Sequence, residues 1–334
     1  MIPRTVPTWQ CRRWQDELAD LIRDPRELLA QLDLDPELLP AAQQAAGEFA
    51  LRVPRNFVQR MKPGDPKDPL LMQVLPIGEE LTLSPGFLKD PVGDLASNPV
   101  PGLIHKYHGR VLLVAAGHCA INCRYCFRRH FPYQDNQPDR KQWQQALDYI
   151  RMDDSITEVI YSGGDPLAVA DKQLAWLSEA LETIPHLQRL RVHTRLPVVV
   201  PSRIDDACLD WLSKTRLQSI MVLHINHAQE INIELSDSID RLKQAGVTVL
   251  NQSVLLKGVN DSVDTLCDLS EALFKAGVLP YYLHLLDKVE GAEHFDVSEK
   301  RALALREGML SRLPGYLIPK FVREIAGMAA KTSL

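Results

Sequence analysis

The chain has 334 residues, of which 45% are hydrophobic and 24% charged, and its formal net charge is −5. This length and composition can bury a large core, and no basic domain or stripe suggests nucleic-acid binding. The first ten residues lack the apolar core of a secretory signal, and no apolar run approaches the roughly 18 residues of a membrane span. We therefore expect a cytoplasmic protein that binds neither nucleic acid nor membrane.

Residues 1–100 are predicted to form a helical and irregular segment that wraps on the main domain. The apolar spacing over 18–32 and 36–49 is typical of helices, whereas 54–101 is rich in proline and glycine, as loops are. Scattered apolar residues in that loop need burial, which favours wrapping over a free linker. They are Phe57, Leu70, Leu71, Val74 and Leu75.

Residues 101–315 alternate between short apolar runs and amphipathic stretches, which predicts strands and helices in turn. The predicted strands are 111–115, 157–161, 190–194, 219–225, 248–254 and 279–286. The predicted helices are 141–151, 171–184, 205–214, 235–245, 263–276 and 298–310. Residues 316–334 are predicted to be a short C-terminal tail.

Strand–helix units in this order predict an α/β fold with a parallel sheet and right-handed crossovers. Six units are too few for a full (βα)8 barrel, so either an open doubly wound sheet or a partial (βα)6 barrel remains. Both arrangements place functional residues at the carboxyl ends of the strands.

Three cysteines lie together just after the first predicted strand, in the loop that should border the active site. Cys119, Cys123 and Cys126 have C-x3-C-x2-C spacing, which suits three irons of a [4Fe–4S] cubane and leaves the fourth iron open. A zinc site with His118 or His130 as fourth ligand is the main alternative, and a chance trio of core cysteines is another. The remaining cysteines, Cys11, Cys208 and Cys267, are scattered. Cys208 and Cys267 lie in predicted helices and are interpreted as small apolar core residues.

This loop resembles that of the radical S-adenosylmethionine (SAM) superfamily, which has a partial barrel and splits SAM reductively at the open iron. The resemblance implies that Tyr125 packs near the SAM adenine. It also implies that Gly163, Gly164 and Asp165, at the end of the second strand, match the motif that binds the SAM amino group. Taken alone, Gly-Gly-Asp-Pro is usually only a turn.

Over roughly residues 50–334 the chain is similar to the lysine 2,3-aminomutase family. The matching stretches are 103–107, 123–129, 195–198, 224–227, 251–256, 280–284 and 331–332. The family also uses pyridoxal 5′-phosphate (PLP), and the resemblance implies that Lys331 forms the Schiff base. The preceding run, Gly327-Met328-Ala329-Ala330, has fewer glycines than the family pattern, and a lysine near a terminus is normally a solvated charge.

The same resemblance implies four further site residues. Arg110 would bind the PLP phosphate and Arg128 the substrate carboxylate, since a guanidinium pairs with both groups. Asp287 would bind the substrate ε-ammonium together with Glu324, where the family has aspartate. Without the resemblance, the two arginines are explained as surface or charge-balancing residues, and Asp287 as a cap or loop carboxylate.

Glu324, the short C-terminus and Phe131-Pro132-Tyr133 resemble the branch that makes (R)-β-lysine from L-lysine for modification of translation elongation factor P. That branch implies a functional link to a separate ligase and a reductant such as flavodoxin or ferredoxin. The oligomeric state is left open. The alternatives are a catabolic free-lysine aminomutase and, in another class, a zinc-stabilised binding module.

Overall fold

The computed structural model describes residues 13–136 and 140–334, so Cys11 and the ten residues considered for a secretory signal lie outside the described part. The strands are β1 (Leu21–Ile22), β2 (Val53–Pro54), β3 (Leu103–Tyr107), β4 (Arg110–Ala116), β5 (Glu158–Gly163), β6 (Arg189–Thr194), β7 (Gln218–His224), β8 (Thr248–Leu255), β9 (Leu279–Leu285), β10 (Lys320–Arg323) and β11 (Thr332–Ser333). The helices are α1 (Trp14–Ala19), α2 (Pro25–Gln31), α3 (Leu39–Glu48), α4 (Arg55–Val58), α5 (Arg140–Met152), α6 (Asp171–Glu182), α7 (Leu196–Val199), α8 (Asp206–Ser213), α9 (Ile233–Gln244), α10 (Val263–Lys275) and α11 (Glu299–Leu310). None of these helices is long and apolar enough to cross a membrane.

Nine of the strands form one sheet in the order β11-β10-β9-β8-β7-β6-β5-β4-β3. Strands β4 to β10 are parallel, and β3 and β11 pair antiparallel at the two edges. The six predicted strand–helix units are therefore confirmed as β4–α5 through β9–α11. The sequence analysis did not predict β3, β10 or β11, which extend the sheet at both edges.

The sheet curls until its edges approach each other. Seven strand spacings separate β3 from β10, which would be roughly 34 Å in a flat sheet. Yet Nζ of Lys106 on β3 lies 3.1 Å from Oε1 of Glu324, the residue that follows β10. Two side chains cannot span the flat distance, so the sheet forms a partial barrel and the open doubly wound alternative is wrong.

The two faces of the curled sheet differ in chemistry. Alternate residues such as Val111, Leu113 and Val159 are buried against the helices in the main apolar core. The intervening residues face the inside of the curl, which we call the lumen. There Arg191 Nε lies 3.0 Å from Glu158 Oε1. The lumen is therefore lined by polar side chains.

Apolar residues between positions 54 and 101 pack on the barrel. Phe57, Leu70, Leu71, Val74 and Leu75 are all buried in the main core, so this segment is not a free linker.

The single helix expected over 18–32 is wrong in detail. Asp24 caps a new helix that begins at Pro25, and the two-residue strand β1 separates it from α1. A proline disfavours helical backbone in the residue before it, whereas it fits the first turn of a helix.

Candidate active site

The three clustered cysteines lie on the loop that leaves the carboxyl end of β4. All three are free, and the backbone N–H of Cys126 donates to the carbonyl of Cys123 at 3.0 Å. Burial raises the pKa of Cys119 well above its ordinary value and raises the pKa of Cys126 to about 11. Such thiols ionise only beside a strong positive charge, which bound iron supplies. The donor set therefore fits a cubane held by Cys119, Cys123 and Cys126.

Of the two histidines considered as zinc ligands, His130 contacts a carbonyl on another loop through its ring, and His118 is held through its backbone. His130 Nε2 lies 3.3 Å from the carbonyl of Glu290 on the exposed side of the loop. The carbonyl of His118 accepts from the backbone N–H of Asp165 at 2.9 Å. Within the described ranges, no three histidine, cysteine or acidic side chains surround one ion. A cubane instead distributes its three cysteine ligands over separate irons.

A buried charge cluster ties this loop to the N-terminal segment. Arg124, which is 0% exposed, donates from Nε and Nη2 to Glu80 at 2.8 and 2.5 Å. Arg129 donates to the same carboxylate at 2.9 Å and to the Gly291 carbonyl at 2.8 Å. Both guanidinium groups also lie over the ring of Phe49. The loop is therefore held by residues that precede the barrel.

Gly163 and Gly164 allow the end of β5 to touch the start of the cysteine loop. Gly163 has φ +109°, and a Cβ added there would lie 2.7 Å from the Ala116 carbonyl oxygen. A Cβ at Gly164 would lie 2.4 Å from the carbonyl oxygen of His118. No other side chain fits at either position without moving the backbone, so the glycines set the position of the loop.

Asp165 is buried, and its carboxylate accepts hydrogen bonds from backbone N–H groups. Its carboxylate accepts from the N–H groups of Leu167, Arg195 and Leu196 at 2.7–3.1 Å and from Thr194 Oγ1 at 2.6 Å. Burial raises its pKa, which these hydrogen bonds oppose. The Asp165 carboxylate therefore links the carboxyl ends of β5 and β6.

Tyr125 belongs to a buried polar network behind the cysteines. Its hydroxyl accepts from Asn226 Nδ2 at 2.7 Å and from Arg195, and its ring meets Phe295 edge-on. Arg195 also contacts Glu230 and the sulfur of Cys123. Burial raises the pKa of Tyr125 far above its ordinary value, so the hydroxyl remains protonated.

A chain of ion pairs runs from the cysteine loop to the C-terminal segment. Arg128 Nε lies 2.7 Å from Asp94 Oδ2, and Lys106 Nζ lies 2.5 Å from Asp94 Oδ1. Lys106 also contacts Glu324, whose second oxygen is 2.5 Å from Nζ of Lys331. Burial opposes ionisation of Glu324, but Lys331 and Lys106 lower its pKa to about 2. Two predicted residues from distant parts of the chain, Arg128 and Lys331, are therefore joined.

Asp287 lies in the same region with an unmet hydrogen-bonding need. Its Oδ1 is buried and has no partner among the described residues. Burial, and then the charge of Glu324, raise its pKa to about 7. His193 Nε2 and His284 Nε2 are also buried without a described partner, and burial keeps both rings neutral by lowering their pKa values. Unpartnered polar atoms around Lys331 indicate a lumen built for a polar ligand.

Arg110 begins β4, so it lies at the opposite end of that strand from the cysteine loop. Its guanidinium lies 4.7 Å from the ring centre of Tyr107 and lowers the pKa of that tyrosine, although burial and Glu324 raise it overall. Arg110 pairs in register with Glu158 of β5. Because side chains alternate between the two faces of a strand, Arg110 lies on the lumen side. On this side its guanidinium would be able to bind the phosphate of PLP.

The structure brings in residues that the sequence analysis left without a role. Asp94 and Glu80 come from the proline-rich segment, where no periodicity marks them. Lys106 and Arg195 lie in stretches that match the lysine 2,3-aminomutase family. That match is the sequence feature that could have pointed to them as site residues.

Comparisons with known proteins agree with this arrangement. Residues 113–269 match the model of the Radical SAM superfamily. The chain is 51% identical over 331 residues to the L-lysine 2,3-aminomutase of Escherichia coli (strain K12), covering 99% of this chain and 96% of that protein. It is 50% identical over 332 residues to the L-lysine 2,3-aminomutase of Haemophilus influenzae, covering 99% and 98%. It is 35% identical to that of Clostridium subterminale, covering 97% and 77%.

Proposed function

Because this chain belongs to the radical SAM L-lysine 2,3-aminomutase family, we propose that it converts L-α-lysine to β-lysine by moving the amino group to the neighbouring carbon. The observation that carries the proposal is the placement of Lys331. Its amine contacts Glu324 on the lumen side of the sheet, near Asp287 and the unpartnered histidines. A lysine on a solvated tail would have none of these neighbours.

The proposed cofactors would be held by two different groups of residues. Cys119, Cys123 and Cys126 would hold the cluster, whose open iron binds SAM. Lys331 and Arg110 would hold PLP by its imine carbon and its phosphate. When bound, the cluster and SAM supply a hydrogen-abstracting radical, and PLP supplies the π-system across which nitrogen shifts.

The residues assigned to SAM contribute in two ways. Gly163 and Gly164 let the backbone approach closely, and we propose that this turn binds the SAM amino group. Asp165 orients this turn through its backbone hydrogen bonds. The ring of Tyr125 would pack near the adenine, while its hydroxyl is held by Asn226.

The substrate would be held at its two charged ends. Asp94 accepts from Arg128 Nε, and Arg128 Nη1 donates to Ser162 Oγ at 3.2 Å, so the remaining N–H groups would bind the substrate carboxylate. Asp287 and Glu324 would receive the ε-ammonium. In the structure the amine of Lys331 already occupies Glu324, so a lysine side chain fits this acidic pair. If Lys331 holds PLP instead, the Glu324 oxygen that it contacts would be open to the substrate ammonium, while Lys106 would still hold the other oxygen.

Anaerobic reconstitution with iron, sulfide, PLP, SAM and L-lysine tests the proposal. We expect iron–sulfur absorption and β-lysine detected by chromatography, and Cys126→Ala should lose both. Cys267→Ala is the matched control, because this cysteine packs in a separate core cluster. Protein that binds no iron would contradict the cluster, and cluster-loaded protein that releases 5′-deoxyadenosine without β-lysine would contradict the aminomutase.

We further propose that the β-lysine supplies a ligase that modifies translation elongation factor P, with a flavodoxin or ferredoxin as electron donor. Glu324 and the Phe131-Pro132-Tyr133 stretch support this branch over a catabolic aminomutase. Mass spectrometry of elongation factor P from a strain that lacks this chain provides the test. Loss of the modification, restored by the wild-type chain but not by Cys126→Ala, is expected; an unchanged mass would favour the catabolic alternative.

A further inference from the structure

We propose that Arg195, held by Glu230, is a positioning residue that sets the reduction potential of the iron–sulfur cluster through the sulfur of Cys123. The inference rests on the part of the proposed function that concerns the cluster. It does not depend on lysine being the substrate.

The guanidinium of Arg195 is aimed directly at a cluster ligand. Its Nη1 lies 2.8 Å from Sγ of Cys123 and also donates to the hydroxyl of Tyr125. Its Nη2 donates to Gln73 Oε1 at 2.8 Å and to Glu230 Oε2 at 3.1 Å. The Arg195 side chain is only 4% exposed, so solvent does not compete for these hydrogen bonds.

The groups that hold Arg195 are themselves fixed. Glu230 is 0% exposed, and its Oε1 accepts from the backbone N–H groups of Asn226 and His227 at 2.9 and 3.1 Å. The backbone N–H of Arg195 donates to Asp165 at 2.7 Å. The donor is therefore anchored at both its backbone and its tip, and it needs no rearrangement to reach the sulfur.

Such a donor acts on the two redox states of a cluster unequally. Reduction adds negative charge to the cluster and its thiolates, and an N–H group or positive charge beside a thiolate stabilises that state. Glu230 cancels much of the charge of Arg195 while leaving the N–H groups in place. The pair therefore combines a hydrogen bond to sulfur with a local charge that depends on both residues. Loss of the Arg195 charge and loss of the Glu230 charge should shift the reduction potential in opposite directions.

The experiment measures the midpoint potential of the reconstituted cluster by electrochemical titration followed by electron paramagnetic resonance. Arg195→Gln removes the cation and leaves Glu230 negative, so the potential should fall. Glu230→Gln preserves shape and leaves Arg195 uncompensated, so the potential should rise. We expect each change to alter the reduction equilibrium about tenfold, which is about 59 mV for one electron.

Asp171→Asn is the matched control. Asp171 pairs with another buried arginine, Arg203, at 2.6 Å, but this pair lies against Trp14 and Trp211 in the helical layer. Its removal should leave the potential unchanged. If Arg195→Gln does not fold, Arg195→Lys replaces it, and a smaller fall is expected because an ammonium cannot reproduce the planar fork.

Opposite shifts would support the inference, whereas a purely structural role predicts loss of iron from both variants or no shift in either. Unchanged potentials, or shifts of the same sign in cluster-loaded variants, would overturn it. Wild-type protein that holds a cluster but makes no β-lysine would refute the proposed function alone, because the potentials are measured without lysine.

Discussion

Lys331 and Asp287 show how a few buried charges define the candidate site at the residue scale. The side chain of Lys331 is 22% exposed and its amine is held by Glu324, whereas Asp287 lacks a described partner for one oxygen. Desolvation penalises a buried carboxylate unless a cation or donor compensates it. The site therefore carries an unmet charge requirement that a lysine ammonium would satisfy.

Replacing Lys331 by alanine should abolish β-lysine formation and the visible absorbance of bound PLP while sparing the iron–sulfur absorption. The reason is that PLP would lose the amine that attaches it, since the other amine beside Glu324, that of Lys106, is also held by Asp94. Absorption spectra and chromatography of the reconstituted variant provide the measurement. Lys300→Ala, on the exposed side of α11, is the control. Retention of full activity by Lys331→Ala would show that the PLP assignment is wrong.

Asp287 should make stability depend on pH in the opposite sense to an ordinary ion-paired carboxylate. Its folded-state pKa of about 7 exceeds the unfolded value, so between about pH 4 and 7 the folded state binds more protons. The free energy of unfolding contributed by this group therefore falls as pH rises through that window. Asp287→Asn removes the penalty, and its stability relative to wild type should rise by about 2–3 kcal/mol from pH 5 to pH 8.

Urea unfolding of the metal-free protein at both pH values measures this difference. Asp237→Asn, an exposed residue of α9, is the control and should show no such pH dependence. A stability difference between Asp287→Asn and wild type that stays constant with pH would contradict the buried, raised-pKa carboxylate.

At the scale of elements, the cysteine loop depends on the segment that precedes the barrel. The loop itself has little regular structure, so its shape comes from Glu80, Arg124 and Arg129 together with the two glycines of β5. Buried ion pairs of this kind contribute little net stability but cost much when one partner is lost. Their value here is the fixed placement of three sulfurs.

Glu80→Gln should therefore lower the free energy of unfolding by about 3–5 kcal/mol and reduce the iron bound per chain, because it leaves two buried guanidinium groups without their anion. Thermal unfolding and iron analysis measure the two effects. The neighbouring Glu79 is exposed, so Glu79→Gln is a closely matched control. Normal iron content in a destabilised Glu80→Gln protein would show that the ion pairs do not position the loop.

At the scale of the whole molecule, the curl of the sheet creates the site. Lys106 on β3 bridges Asp94 and Glu324, and these contacts close the lumen beside the C-terminal segment that carries Lys331. Only a curled sheet brings the first and last parts of the barrel within reach of one ammonium group. The C-terminal segment is thereby part of the barrel wall, with β10 paired to β9 and β11 paired to β10.

Lys106→Gln should weaken the contacts between β3 and the C-terminal segment. Asp94 and Glu324 would lose their shared cation, and amide hydrogen exchange in residues 320–334 should quicken about tenfold or more, in line with the roughly 1.4 kcal/mol that a tenfold change represents. Hydrogen exchange followed by mass spectrometry measures this. Lys62→Gln, which breaks only an exposed pair with Asp65, should leave exchange in the segment unchanged. Equal protection in both variants would contradict the bridging role.

The six strand–helix units and the cysteine loop could be predicted because each leaves a local pattern. Strands buried on both faces read as apolar runs, amphipathic helices repeat every 3.6 residues, and metal-binding cysteines cluster within one loop. The strand β10 has only four residues and begins with the exposed Lys320, so it carries no such pattern. Its place in the sheet comes from pairing with β9.

The amino-acid sequence by itself determined the order of the elements and, through family resemblance, the choice of the three cysteines and Lys331 as proposed site residues, since these depend on neighbours along the chain. Only the tertiary structure decided that the sheet closes into a partial barrel and that Asp94, Lys106 and Glu324 meet there. It also decided that Arg195 reaches Cys123. Lys106 and Glu324 are 218 positions apart, and Arg195 and Cys123 are 72 apart. Such contacts depend on the curvature and packing of the folded chain, which no local periodicity encodes.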